Sequence, residues 1–225
     1  NIAVGVGALG SDTRGNFSTA IGHAALNSQN TTNDTDMYNT AVGYLAGTLV
    51  TTGVRNTLIG GLSGDAITTG GDNVAVGANA LTANTTASNN TAVGSASLIT
   101  NTTGSFNTGL GNSALYANTT GTYNVAVGYQ ALDANTTAAN NTAVGYASLG
   151  ANTTGTSNVA VGKSALAVNT TANYNTAIGM AALTANTTGT QNTAVGSSAG
   201  TSVTTGNYNT ALGVDALSSL TTGSN

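Results

Sequence analysis

One glycine recurs at a fixed spacing along this chain and limits what the chain can fold into. From Gly43 onward it stands at every seventeenth residue, and only the 21-residue step from Gly22 to Gly43 departs from this period. A strict short period over thirteen copies predicts a solenoid, in which each repeat forms one coil stacked on the last. The repeat glycines are Gly5, Gly22, Gly43, Gly60, Gly77, Gly94, Gly111, Gly128, Gly145, Gly162, Gly179, Gly196 and Gly213.

The period predicts a single repeat array over residues 1–225, interrupted by a four-residue insertion within residues 27–38. The chain opens inside a repeat, at Asn1, and closes inside another. We therefore expect it to be a fragment of a longer protein.

The four residues before each repeat glycine predict a β-strand. In almost every copy they are Asn, then Thr or Val, then Ala, then Val, Ile or Leu, as in residues 124–127. Short β-branched runs bounded by glycine are typical of strands. The chain has no proline, so every ladder hydrogen bond can form. The sequence thus predicts an all-β fold, a parallel β-solenoid or β-roll of about thirteen 17-residue coils.

Both faces of this strand are apolar. Alternation places Ala126 on one face and Val125 and Val127 on the other, and a strand that is apolar on both faces is covered on both. The coil interior supplies one cover, to which we expect each coil to add a Val and a Leu. The repeat offers no second cover, so we infer a partner chain. Three chains around one axis are the simplest closed fibre, and we expect a homotrimer.

Two columns of the repeat exchange an apolar residue. Ten copies have Leu four residues after the repeat glycine, whereas three copies have Gly there and a β-branched residue three positions later. Seven of the Leu copies have Asn at that later position. Because core volume is conserved, the exchange predicts that both columns face one interior. The exchanged pairs are Gly47 with Val50, Gly64 with Ile67, and Gly200 with Val203.

The segment Asn-Thr-Thr-Gly or Asn-Thr-Thr-Ala, as in residues 118–121, is typical of a corner. Stacked in register, its Asn and Thr side chains are expected to form hydrogen-bonded ladders. The segment also matches the N-glycosylation pattern, which would place sugar on nearly every coil in a host that glycosylates Asn.

Composition argues against several functions. Charged residues make up 4 % of the chain and the net charge is −4, which gives no electrostatic footprint for nucleic acid or an anionic membrane. No apolar run approaches the roughly 20 residues that span a bilayer. We expect no nucleic-acid partner, no membrane insertion and no cofactor.

The sequence offers no constellation for catalysis, so we predict that the chain is not an enzyme. His23 is the only histidine and lies in a variable surface column, and cysteine is absent. All seven acidic residues are Asp, and Asp65, Asp72, Asp133 and Asp215 lie on different coils. Asp34 and Asp36, in the insertion, could hold a hard cation. A solvated bulge explains them better, and we predict no metal site.

Aromatic residues are the most suggestive surface feature. They recur five residues before the repeat glycine, in what we call the pre-strand column, and a second set follows the glycine at Tyr44, Tyr129 and Tyr146. Exposed rings beside Asn and Thr suit sugar stacking. The alternative is that they cover corners or seal a seam between chains. The predicted glycan-binding residues are Phe17, Tyr38, Phe106, Tyr123, Tyr174 and Tyr208.

The repeat Asn-Thr-Ala-Val-Gly-x-x-Ala-Leu-x-x-Asn-Thr-Thr-Gly resembles those of bacterial and phage tail-fibre-like proteins. It is also similar to the head repeats of trimeric autotransporter adhesins, where such a strand builds a left-handed parallel β-roll. These resemblances imply a trimeric extracellular fibre, at a cell surface or on a virion, used in attachment to cell-surface carbohydrate or another receptor.

The alternative function is ice binding through regular Thr-rich faces. In a strand, however, adjacent residues such as Thr119 and Thr120 would point to opposite faces, which counts against a flat Thr array.

Overall fold

The computed structural model describes residues 1–224, and the chain divides into two compact units, Asn1–Asn112 and Ser113–Asn225. Each unit is a parallel β-solenoid built from 17-residue coils, and no helix occurs among the described residues. The predicted fold class is therefore confirmed.

Each coil contributes one three-residue strand, and the insertion adds a short pair. In the first unit the strands are β1 (Ile2–Val4), β2 (Gly15–Asn16), β3 (Thr19–Ile21), β4 (Thr35–Asp36), β5 (Thr40–Val42), β6 (Thr57–Ile59), β7 (Val74–Val76), β8 (Thr91–Val93) and β9 (Thr108–Leu110). In the second unit they are β10 (Val125–Val127), β11 (Thr142–Val144), β12 (Val159–Val161), β13 (Thr176–Ile178), β14 (Thr193–Val195) and β15 (Thr210–Leu212).

Equivalent residues of successive coils pair in parallel. Ala126 lies opposite Ala143, and the same register continues to β15. The longer step from β3 to β5 keeps the register, with Ala20 opposite Ala41. Part of the insertion forms β4, which pairs with β2 outside the main ladder. The extra residues therefore leave the stacking of the coils unchanged.

The middle residue of each strand faces the interior, and the two flanking residues face outward. Ala126 and Ala143 are fully buried, whereas Val125 is 36 % exposed and Val127 is half-buried. The expectation that each coil contributes a strand Val to the interior is wrong. The coil is narrow beside the strand, and a methyl group fills the space there.

Leu58 is the exception that shows how tightly this interior is filled. It takes the place of the inward Ala and is fully buried. A Cβ added to Gly47 would lie 2.5 Å from Leu58 Cδ1, and one added to Gly64 would lie 2.8 Å from Leu58 Cδ2. Val50, Ile67 and Val203 are also fully buried. The predicted exchange of apolar residues between the Leu column and the later column is confirmed. The inward strand position also takes part, because Leu58 fills space that Gly47 and Gly64 leave open.

Two columns of buried asparagine hold the coils in register. In the first column, the strand asparagines, Asn56 donates its backbone amide to Asn39 Oδ1 at 2.8 Å and its Nδ2 to the Gly70 carbonyl at 3.0 Å. In the second column, the loop asparagines, Asn152 Nδ2 donates to Asn135 Oδ1 at 3.1 Å and to the Gly155 carbonyl at 2.9 Å. The expected ladders are confirmed, and they lie inside the coil.

The loop-asparagine ladder ends where the apolar exchange begins. Asn186 Oδ1 is buried without a hydrogen-bond partner. The equivalent residue of the next coil is Val203, which has no amide to donate. An unsatisfied buried acceptor costs about 1–3 kcal/mol, so this switch from Asn186 to Val203 carries a local penalty.

A second exchange accompanies the insertion. Ser18 stands where other coils have a strand asparagine. In the same coil, Gln29 stands where other coils have a loop asparagine, and its side chain is one methylene longer. Gln29 is fully buried; its Nε2 donates to Ser18 Oγ at 3.1 Å, and its Oε1 accepts from Asn39 Nδ2 at 3.0 Å. The shorter Ser18 side chain is compensated by the longer Gln29 side chain, so the buried polar atoms keep their hydrogen-bond partners.

The corners depend on residues with positive φ. At each repeat glycine the backbones of adjacent coils approach so closely that a Cβ on Gly60, where φ is +134°, would lie 2.5 Å from the Gly77 carbonyl oxygen. Three further columns hold non-glycine residues in the left-handed region, such as Tyr123, Gln130 and Leu132 at φ of 57°, 53° and 52°. Left-handed backbone is uncommon for such residues, so the coil stack stabilises it.

The packing around Leu58 yields a double-mutant prediction. Leu58→Ala leaves a cavity and is expected to lower the free energy of unfolding by about 2–5 kcal/mol. Gly64→Leu overfills the same space and is expected to lower it by about 1–3 kcal/mol. Combined, the new leucine fills the cavity, so chemical denaturation should show the double variant to be more stable than the sum of the single effects. Additive losses would show that the two positions do not share one interior.

Candidate ligand-binding surface

The six predicted aromatic residues lie on one corner of the coil, directly before the strand. All are between 49 % and 62 % exposed, with φ between 52° and 62°. Within each unit the pre-strand column runs along the stack with one residue per coil, so its members follow a line and do not converge on a pocket. Exposure is as expected for binding, and the glycan contact itself stays a prediction.

Phe17 and Tyr38 occupy adjacent coils and stack on one another. Their ring centroids lie 5.3 Å apart and the ring planes differ by 9°. The Tyr38 hydroxyl lies 3.4 Å from Asp36 Oδ2, at the end of the insertion. A sugar stacks on a ring face, and here each ring covers a face of the other.

The aromatic residues that follow the repeat glycine behave in the same way. Tyr129 and Tyr146 stack with centroids 5.7 Å apart and planes within 9°. Lys163 Nζ lies 5.9 Å from the Tyr146 centroid, on the neighbouring coil, and His23 stacks on Tyr44 at 5.5 Å. These contacts favour the alternative that such rings cover corners and link adjacent coils.

Tyr174 and Tyr208 differ because one coil separates them. Gln191 occupies the pre-strand column between them. The three backbone amides keep the coils in register, each donating to a carbonyl of the preceding coil: Tyr174 at 3.1 Å, Gln191 at 3.2 Å and Tyr208 at 3.1 Å. Gln191 is not among the six predicted glycan-binding residues.

The outer strand face is the second candidate surface. It is formed by the strand residues that flank the inward Ala, such as Val159 and Val161, and carries only Thr, Val, Ile and Leu. These side chains are half-buried or exposed: Ile59 is 38 % and Ile178 is 40 % exposed. Within each unit they form an uncharged strip along the stack.

The paired threonines of the corner do not alternate as a strand would require. They lie in a bend, where Thr136 is half-buried and Thr137 is exposed. Thr136 Oγ1 donates to the Thr153 carbonyl at 3.2 Å, and equivalent bonds recur along the unit. No strand is present at that corner, so the strand alternation considered for adjacent threonines does not apply there.

The loop asparagines are not accessible acceptors for N-glycosylation. Asn84, Asn118 and Asn135 are fully buried in the ladder. The expectation that nearly every coil would carry sugar is therefore wrong for the folded chain, because each amide is hydrogen-bonded inside the coil.

Charged residues form isolated contacts. Arg55 and Asp72, on adjacent coils, make a bidentate ion pair with Nε–Oδ1 and Nη2–Oδ2 distances of 2.5 and 2.8 Å. The Arg55 guanidinium lowers the pKa of Asp72, whereas burial raises the pKa of Asp65 and Asp133 above 3.8. Asp34 and Asp36 are exposed. Among residues 1–224, no three potential metal-ligating His, Cys, Asp or Glu side chains lie together.

No protein family, curated protein or solved structure matches this chain. Within residues 1–224, no helix is long and apolar enough to cross a membrane.

Asp65 and Asp72 predict opposite responses to pH. Asp65 Oδ1 is buried without a partner, so Asp65→Asn should raise the free energy of unfolding at neutral pH. This gain should disappear below pH 3.8, where the wild-type carboxyl is protonated in both states. Asp72→Asn removes the partner of Arg55 and should lower stability at neutral pH. This loss should disappear only as pH falls through the lowered pKa of Asp72.

Urea denaturation of both variants at about pH 7 and about pH 2.5 measures these differences. Each variant is the control for the other, since both remove one negative charge from the same unit. Changes of the same sign at neutral pH would contradict the assignment.

Proposed function

We propose that this chain is a structural and adhesive segment of an extracellular trimeric fibre, either the shaft or the head of a tail fibre or surface adhesin. The observation that carries the proposal is the outer strand face. Its Val, Ile, Leu and Thr side chains remain partly exposed in a single chain, in unbroken register within each unit.

Copies of the same chain are the occupant that fits this face. It carries no charge, so identical strips can approach without like-charge repulsion or the desolvation of ions. Burying apolar surface stabilises by about 25 cal/mol per Å², and the gain recurs at every coil. With three copies around a common axis, the outer strand face of every copy can be covered by the other two.

The resemblance of the repeat to tail-fibre-like proteins and adhesin heads supports the same function. Each unit repeats equivalent corners from coil to coil, so weak contacts could add through multivalency. The exposed pre-strand column is the surface proposed to contact cell-surface glycans.

The mass of the protein in solution tests the trimer. Light scattering should give about 65 kDa, three times the chain mass of 21.7 kDa. Val161→Asp places a charge on the outer strand face and should release monomers, because an unpaired carboxylate cannot be buried between copies. Thr154→Asp, at an exposed corner of the adjacent coil, is the matched control and should stay trimeric. A stable wild-type monomer of 21.7 kDa would contradict the proposal.

Ice binding is the second candidate, favoured by the corner threonines. The second threonine of each pair, as at Thr137, Thr154 and Thr171, is exposed and repeats at the coil spacing. Strands stack at about 4.8 Å, and a regular array of hydroxyl and methyl groups at such a spacing is what a lattice contact requires. Thermal hysteresis in the wild type that is lost in Thr154→Lys would favour this function. If the wild type shows no thermal hysteresis, ice binding is ruled out and the fibre proposal stands.

A further inference from the structure

We propose that Tyr174, Gln191 and Tyr208 form a clamp that holds one pyranose ring of β-gluco configuration between two tyrosine rings. This inference rests on the proposed function in one respect: the sugar would belong to a surface glycan. The clamp itself depends on the spacing of the tyrosines in the pre-strand column and on the backbone conformation that they share.

The backbone of this column directs aromatic rings parallel to one another. Tyr174, Gln191 and Tyr208 have φ of 59°, 58° and 59°, close to the 59° and 52° of Phe17 and Tyr38. In that adjacent pair the rings are parallel within 9°. Because Tyr174 and Tyr208 share this backbone conformation and these register bonds, we expect their rings to be parallel as well, with one coil between them.

The width of the gap follows from the adjacent pair. One coil step separates the ring centroids of Phe17 and Tyr38 by 5.3 Å, so we expect two steps to separate the centroids of Tyr174 and Tyr208 by about twice this distance. A flat aromatic guest at van der Waals contact with both rings needs about 7 Å and would be loose. A pyranose chair is thicker, because axial hydrogens project from both of its faces.

The chemistry of the gap selects the configuration of the sugar. Two aromatic faces require a guest that is apolar on both sides. In a β-gluco pyranose every substituent is equatorial, so both faces present only C–H groups. A β-galacto ring has an axial O4 and an α-manno ring an axial O2, and each would press a hydroxyl against an aromatic face.

Polar groups stand at the edge of the gap, where equatorial hydroxyls would emerge. Gln191 occupies the coil between the two tyrosines, so its side chain has to turn out of the gap to admit a sugar. It is exposed and takes part in none of the hydrogen bonds described for residues 1–224, so it is able to turn outward and offer its amide to the sugar. Asn173 Oδ1 accepts from the Thr156 amide and hydroxyl at 2.6 and 3.0 Å. Asn207 Oδ1 accepts in the same way from Thr190 at 2.7 and 3.0 Å. The two Asn Nδ2 groups are thereby left as donors at this corner.

No other aromatic pair of the described residues, 1–224, has this spacing in the pre-strand or post-glycine column. Phe17 with Tyr38 and Tyr129 with Tyr146 occupy adjacent coils and fill the space between themselves. Tyr174 and Tyr208 therefore differ from the adjacent pairs, because one coil separates their rings.

The clamp can be tested by saturation-transfer NMR on the whole chain. The probes are cellotriose and triacetylchitotriose, with β-1,4-galactotriose and α-mannotriose as configurational controls and adenosine monophosphate as a flat guest. We expect saturation transfer to the two gluco-configured sugars alone. Tyr174→Ala and Tyr208→Ala should each weaken binding at least about tenfold, which is about 1.4 kcal/mol.

Two further variants separate the clamp from a general surface effect. Gln191→Tyr should abolish binding while retaining both tyrosines, because a third ring fills the gap as in the adjacent pairs. Tyr129→Ala removes an exposed ring of the same unit that stacks on Tyr146, and this variant should bind as the wild type. Binding unchanged in Gln191→Tyr, equal loss in Tyr129→Ala, binding of the nucleotide instead, or binding of no gluco-configured probe would each overturn the clamp.

The mass of the same samples distinguishes this failure from failure of the proposed function. A trimer that binds none of the probes removes the clamp and leaves the fibre. A monomer that binds the gluco-configured sugars removes the fibre and leaves the clamp.

Discussion

Buried asparagine amides fix each coil against the next, and the other features of the fold depend on this register. A strand asparagine such as Asn141 donates to the Asn124 side chain and to the Gly155 carbonyl, and its own oxygen accepts from Asn158. These bonds are all made only when the neighbouring coils have asparagine at the same position. A change in coil length would leave buried amides unsatisfied, at about 1–3 kcal/mol each. The 17-residue period follows from that requirement, and the insertion is tolerated because its extra residues lie outside the ladder.

The same constraint leaves little volume for apolar side chains. The interior takes one Ala from each strand and one Leu or its exchanged equivalent, and Leu58 enters only where Gly47 and Gly64 make room. The larger strand residues point outward. A solenoid with a polar, narrow interior therefore has its apolar surplus on one outer face, and the proposed fibre of several copies rests on that face. The chemistry of the pre-strand column and of the column after the repeat glycine varies from coil to coil.

The sequence predicted the architecture because its period, its glycine and its apolar exchange each have one structural explanation. It did not predict which strand face is inside, because Ala and Val are both apolar, and only the narrow interior decides between them. It also missed the left-handed corners. Their signal is present: the columns of Tyr123, Gln130 and Leu132 contain no Val, Ile or Thr in any copy, although these residues abound elsewhere in the chain. β-branched residues are the ones least compatible with positive φ. For the candidate site the sequence identified exposed rings, but whether their faces are covered depends on the coil spacing.

Hydrogen exchange of the asparagine side-chain amides, followed by NMR, tests the central claim most directly. Strand and loop asparagines such as Asn141 and Asn152 should exchange only through unfolding of their coils, whereas exposed asparagines such as Asn89 and Asn140 should exchange at the rate of a free amide. Fast exchange of both classes in the folded protein would show that the amide ladders do not hold the coils together, and would contradict the account.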